Sequence, residues 1–311
     1  MNSIPNDLLL EILSRLPWKS ISRFRCVSKL WGSMLRGPYF TELFLKRSWS
    51  RPRLFFAAFE YNQNCETIFY SSPLPQNIYE KPSSLVLATD FHIKFSAYTR
   101  LLFRGYASSL FLVCHRRTIL RDYEDAVHVI CNPRTGQYAT LPTLRRYIIS
   151  ISFLGFDPID KKFKVLSMFF AYGEERDDHK ILTFGTGDMK WRKIQCPRHS
   201  PYSKEICING VLFYLARHNG SRVIVCFDVR SEKFNFIDAK CLGLATPQLI
   251  NYKGKLGCIL LEYGNVGGRS TTRGMCMWVL EDVEKQEWSK HVYTFPGDEL
   301  AEYCVNDLLL E

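Results

Sequence analysis

Nowhere in the 311 residues does an apolar run approach the ~20 needed to cross a bilayer, so the sequence holds no candidate transmembrane helix. The opening Met1-Asn2-Ser3-Ile4-Pro5-Asn6-Asp7 lacks both a basic n-region and an unbroken apolar core, which argues against a secretory leader. A cytoplasmic or nuclear protein is expected. No Cys-x-x-Cys occurs. The eleven cysteines are odd in number and scattered, and Cys114, Cys131, Cys226 and Cys258 sit in apolar strand-like runs. Reduced, buried thiols are therefore expected rather than disulfides. Asn219-Gly220-Ser221 matches a glycosylation sequon but reads as a turn.

Catalytic signatures are missing as well. There is no Gly-x-Ser-x-Gly, no P-loop lysine motif and no His-Glu-x-x-His. Cys196-x-x-His199 with Cys207 has no fourth ligand, and Asp177-Asp178-His179 reads as a solvated acidic loop. Arg116-Arg117 and Arg145-Arg146 lack the interleaved aromatics of a nucleic-acid platform. No catalytic residue, metal, cofactor, nucleic acid or membrane is expected to figure in the function.

What is present fits a globular chain, 46% hydrophobic and 23% charged, long enough for a small module and a large domain. Aromatics at 14% favour β structure. The net charge of +10 is concentrated at one end: residues 1–53 hold ten Lys/Arg and three acids. Such a field steers association with an acidic protein or with nucleic acid.

Pro5 to Leu16 is helical in pattern. Proline suits the first turn, and Asp7 and Glu11 lie near the positive end of the dipole. Leu8, Ile12 and Leu16 form one i, i+4 row, and Leu9 with Leu13 the adjacent one, before Pro17 ends the helix. A short second helix carries Ile21 and Phe24. A third spans Val27 to Leu35, stopped by Gly37-Pro38, and a fourth apolar stretch holds Phe40, Leu43 and Phe44. Gly32, inside the third, costs ~1 kcal/mol relative to alanine. So small a bundle buries little, which leaves open whether its apolar excess is core or is covered by something else.

The run Ile4-Pro5-Asn6-Asp7-Leu8-Leu9-Leu10-Glu11-Ile12-Leu13-Ser14-Arg15-Leu16-Pro17 closely resembles the opening of an F-box. It continues with Ser20, Arg23-Phe24-Arg25-Cys26-Val27-Ser28-Lys29 and Trp31 in that family's spacing, over roughly Ile4 to Phe44. The resemblance implies docking to a small acidic Skp-type adaptor, and through it to cullin and RING subunits. Carried over by position, Pro5, Leu8, Leu9, Ile12, Leu13, Leu16, Pro17, Phe24, Val27 and Trp31 form the docking face and its supporting core. Leu13→Asp is expected to abolish adaptor binding.

Domain boundaries of 1–48 and 49–311 follow, with a link at Ser48-Trp49-Ser50-Arg51-Pro52 too short for a flexible tether. Beyond Arg53 the recurring unit is an apolar run, a polar turn and a strand bearing an aromatic. Tyr138, Trp191, Phe234 and Trp288, taken as equivalent outer-strand positions, repeat at about the 40–50 residues of a four-stranded propeller blade. An irregular β sandwich is the alternative. Asn62 to Ser84, rich in Ser, Asn and Pro, reads as a long loop or a poorly defined first blade.

Motifs such as Cys131-Asn132-Pro133-Arg134-Thr135-Gly136, Gly155-Phe156-Asp157-Pro158, Ile208-Asn209-Gly210-Val211-Leu212-Phe213 and Phe227-Asp228-Val229-Arg230 resemble the plant F-box-associated domain of type 3, clearest over 100–294. The fold expected is thus a helical F-box followed by an all-β, propeller-like domain. Its last blade is expected to be incomplete at Asp307-Leu308-Leu309-Leu310-Glu311. The resemblance implies a non-catalytic substrate receptor of an SCF-type ubiquitin ligase, capturing a protein for ubiquitination. The alternatives are a ligase-independent protein-binding module and a truncated, inactive relative. Target contacts are expected on turns at Arg116, Arg117, Arg145, Arg146, His218 and Asn219.

Overall fold

The structure, a computed structural model, describes residues 5–16, 18–37, 39–40, 43–44, 53–60, 66–73, 90–95, 100–108, 110–120, 123–132, 137–146, 149–170, 179–184, 189–203, 205–239, 246–266 and 269–294. Pro17, the 48–52 link, Asp177-Asp178 and the 307–311 segment fall outside them. The chain divides into two compact units, 1–101 with 131–139, and 102–130 with 140–311.

The N-terminal part of the first unit contains α1 (Asn6–Leu13), α2 (Trp18–Phe24) and α3 (Lys29–Met34). Pro5 caps α1 at φ −55 and ψ 140, where its fixed φ and missing N–H cost nothing. Helix α3 begins two residues later than the sequence predicts. The reason is a cap: Ser28 Oγ accepts from the Trp31 N–H at 3.1 Å, leaving Val27 in the preceding turn. Leu13, Ile21, Leu35 and Phe40 are the buried centre of the bundle. Gly32 has a packing reason, since a Cβ there would sit 3.0 Å from the Arg25 carbonyl oxygen. Glycine lets α3 pass close to the end of α2.

The rest is antiparallel sheet built hairpin by hairpin. The first sheet is ordered β1-β2-β3, from β1 (Arg53–Glu60), β2 (Glu66–Pro73) and β3 (Asp90–Phe95). Strand β2 runs through the segment that the sequence reads as a long loop or a poorly defined first blade. Its Thr67-Ile68-Phe69-Tyr70 core has high β propensity, which outweighs the flanking Ser and Pro.

The second sheet is ordered β4-β5-β6-β7, from β4 (Arg100–Ala107), β5 (Leu110–Leu120), β6 (Tyr123–Asn132) and β7 (Gln137–Thr140), with β8 (Leu144–Arg146) pairing off β6. The third contains β9 (Ile149–Asp157), β10 (Lys162–Phe170), β11 (Lys180–Phe184) and β12 (Arg192–Lys193) in chain order. In the fourth, β13 (Ser200–Pro201) and β14 (Ile206–Ile208) both pair with β15 (Val211–His218), followed by β16 (Ser221–Asp228) and β17 (Phe234–Asp238). The fifth contains β18 (Gln248–Tyr252), β19 (Lys255–Val266), β20 (Arg269–Asp282) and β21 (Glu287–Thr294), again in chain order.

Each sheet is finished before the next begins, and from the second sheet to the fifth, successive sheets bury apolar faces against each other. Leu112 and Ile130 meet Leu154, Val165 and Leu182. Phe153, Leu166 and Met168 meet Leu212, Tyr214 and Val225. Phe213, Leu215 and Ile224 meet Leu256, Cys258 and Leu280. This serial stacking is propeller-like, not a two-layer sandwich. Strands β15 and β16 are covered on both faces, which is why they read as unbroken apolar runs. Two-residue turns with both residues at positive φ close hairpins at Asn209-Gly210, Asn219-Gly220 and Lys253-Gly254.

Candidate functional site

The residues that the resemblance assigns to docking fall into two sets. Leu9, Leu13, Leu16, Phe24 and Trp31 belong to one cluster inside the bundle, with the Phe24 and Trp31 rings 5.3 Å apart. Leu13 is only 3% exposed, so it is a core residue and not a contact. Pro5 is exposed, as are Leu8 at 55%, Ile12 at 53% and Val27 at 64%. The i, i+4 pair Leu8 and Ile12 therefore forms an apolar row on α1 that faces away from the core. Leu30, 65% exposed, is a similar residue that helical spacing alone did not single out.

An open groove on this module is lined by Arg25, Lys29 and Arg36 together with Ser28 and Ser33, and among the described residues by no carboxylate. Arg25 Nη2 donates to the Leu35 carbonyl at 2.7 Å. Burial, and then the neighbouring Arg36, hold its guanidinium below the usual arginine range. The groove is thus a positively charged surface built by the ends of α2 and α3.

In the β domain, the target candidates do not share one turn. Arg116 and Arg117 lie within β5, and Arg145 and Arg146 within β8, opposite Asp125 and Glu124 of β6. The expectation of turns is corrected here: all four arginines lie within strands. Only His218 and Asn219 sit at a hairpin tip. The His218 ring stacks on Phe236 with centroids 4.5 Å apart, and its Nδ1 donates to the Arg198 carbonyl at 2.7 Å.

Cys196, His199 and Cys207 do not converge. Cys196 Sγ is 3.8 Å from His199 Nδ1, which donates to the Pro197 carbonyl at 2.7 Å, while Nε2 lies 2.8 Å from the Tyr214 hydroxyl. Cys207 Sγ instead accepts from the Phe156 N–H. Among the described residues, no three His, Cys, Asp or Glu side chains gather as a metal would need. Burial pushes the Cys131 and Cys226 thiols up to about 12 and Cys207 to about 11, so these are neutral packing groups. Among the described residues, no helix is long and apolar enough to cross a membrane.

A family model described as an F-box domain matches residues 1–43, and one described as an F-box associated β-propeller domain matches residues 53–309. F-box protein At3g57590 of Arabidopsis thaliana is 50% identical over 314 residues, covering 98% of this chain and 75% of that protein. Putative F-box protein At1g33020 of the same plant is 54% identical over 309 residues, covering 96% of this chain but 54% of its own length. Among solved structures, the complex of the fission yeast SREBP–SCAP binding domains aligns with a TM-score of 0.31 and 8% identity, over 79% of this chain and 63% of that one. That likeness is too slight to bear on function. With both of its parts matched in order, the chain belongs to the F-box proteins that carry an F-box-associated β-propeller domain.

Proposed function

We propose that the chain is the substrate-recognition subunit of an SCF-type ubiquitin ligase, working in the cytoplasm or nucleus. The helical module, residues 1–48, docks a Skp-type adaptor that brings cullin and a RING subunit. The β domain, residues 49–311, holds a protein target, and ubiquitin transfer belongs to the partner enzymes.

The observation that carries this reading is the outward apolar row Leu8 and Ile12, joined by exposed Val27 and Leu30. Covering one such side chain fully contributes ~1.5–3 kcal/mol, so a partner gains substantially by seating on them. The basic groove at Arg25, Lys29 and Arg36 supports an acidic partner through charge complementarity.

The test is affinity capture of the tagged chain from plant cells in which cullin activity is blocked. Adaptor and cullin are both expected to co-purify, with the target enriched by the block. Recovery of adaptor without cullin, or of neither, contradicts the receptor reading.

A further inference from the structure

The third sheet gathers positive charge at one end of the face it turns to the fourth. Lys162 and Lys164 alternate with Phe163 along β10 and so share a side, and Thr183 of β11 stands opposite Lys164. Arg192 of β12 stands opposite Ile181, two residues from Thr183 and therefore on that side too. It is the side that buries Leu166 and Ile181 against the fourth sheet. With Lys190, these residues line a cavity of about 410 Å³, to which the fourth sheet contributes Glu232.

The three carboxylates of the cavity are already engaged. Asp157 is buried, and its Oδ1 accepts from the Ile159 and Asp160 N–H groups. Asp160 lies 3.6 Å from the Arg230 guanidinium. Glu232 accepts from Lys164 Nζ at 2.6 Å and from Arg192. Four cations share the cavity with them, and the Lys162 ammonium has no hydrogen bond or ion pair among the described residues. The turn itself does not demand Glu232. The equivalent left-handed positions after Asp157 and Asp282 are Lys161 and Gln286, so the carboxylate answers the cations and not the backbone.

We propose that this cavity is where the β domain takes its target, and that an acidic side chain of the target fills it. An Asp or Glu carboxylate pairs with the Lys162 ammonium and reaches the N–H groups of Arg192 that Glu232 leaves open. Lys162 and Arg192 are both exposed, so binding falls as salt rises. This assignment rests on the receptor reading above.

The test titrates the full chain with a fluorescein-labelled Asp/Glu-rich peptide and with its Asn/Gln counterpart. Lys162→Ala is expected to weaken the acidic peptide by ~10-fold, the loss of one charge-assisted contact. Its Tm is expected to stay unchanged, because no partner is left behind. Glu232→Gln removes the competing carboxylate, and Gln286 shows that this turn accepts glutamine. The acidic peptide is expected to bind that variant ~2–5-fold more tightly, whereas a merely damaged turn weakens binding in both variants. Lys285→Ala, in the corresponding turn of the fifth sheet, is expected to change nothing. Unchanged binding by Lys162→Ala, weaker binding by Glu232→Gln, equal binding of the Asn/Gln peptide, or tighter binding of a single-stranded oligonucleotide overturns the proposal. Skp-type adaptor binding is measured on the same proteins and is expected to be equal in all of them. Its absence from the parent contradicts the receptor reading, whereas its presence without peptide binding contradicts this site alone.

Discussion

His128 lies in the core with its Nε2 2.6 Å from Ser152 Oγ, which is itself 3.1 Å from Ser167 Oγ. Burial, and then the charge of Arg104, push its imidazole down to about 4, so the ring is neutral in the native protein. An unfolded histidine takes up a proton near 6.5, whereas the folded one resists until about 4. Stability of the β domain therefore falls as pH drops from about 6.5 to about 4, by ~3 kcal/mol across that window. The Glu232 carboxylate is destabilised by burial. Its partners Arg192 and Lys164 more than offset that and hold it below the usual range, so its contribution is lost only under more acidic conditions, below about 4.5. His128→Gln is expected to flatten the upper part of the window. Urea midpoints at several pH values check this, and an unchanged pH slope counts against it. Within the helical module, Leu13→Asp buries a charge in the bundle centre and is expected to unfold it, a loss of ~3–5 kcal/mol read by circular dichroism of the helices. Leu8→Asp and Ile12→Asp change exposed positions and are expected to leave the helix signal intact. The i, i+4 rows were legible in the sequence. Which row faces inward was not, because both rows are equally apolar and only the packing of Ile21, Leu35 and Phe40 selects between them.

Among the β elements, one turn is used three times. Asp157 Oδ1 accepts from the Ile159 and Asp160 N–H groups, Asp228 Oδ1 from Ser231, and Asp282 Oδ1 from Glu284 and Lys285. Four residues after each aspartate the backbone is left-handed, at Lys161, Glu232 and Gln286. Six residues after it comes an aromatic: Phe163, Phe234 or Trp288. The aromatics could be read from the sequence, and Tyr138, Phe234 and Trp288 do lie on the last strand of their sheets, with Trp191 immediately before β12. The left-handed residues could not, since Lys, Glu and Gln give none of the signal that glycine gives for positive φ. Gly155 shows the tightness of sheet-on-sheet packing. An added Cβ would meet Val229 Cγ2 at 2.6 Å and Leu212 Cδ1 at 3.0 Å. Gly155→Ala is expected to cost ~1–3 kcal/mol through overpacking, seen as a lower urea midpoint with an unchanged slope. A midpoint equal to that of the parent contradicts the packing described.

For the whole molecule, the sequence separates a basic helical end from a nearly neutral β remainder, and the family matches follow that division. The first three helices and the serial β units were legible because period, turn residues and aromatic spacing agree. The first sheet was only half legible, as a loop or a poorly defined blade, because polar residues flank β2. Register was not visible: that Arg217 lies opposite Arg222, and Val211 opposite Asp228, is something composition does not reveal. The central claim is that the apolar row on α1 exists for a partner. Its most direct test is calorimetric titration of purified Skp-type adaptor into the purified chain, parent against Leu8→Asp with Ile12→Asp, at matched Tm. The account expects the parent to bind and the double variant to lose about 100-fold or more, the ~3 kcal/mol that two uncovered anchors represent. Equal affinity in the two proteins would show that the adaptor, if it binds, does so elsewhere.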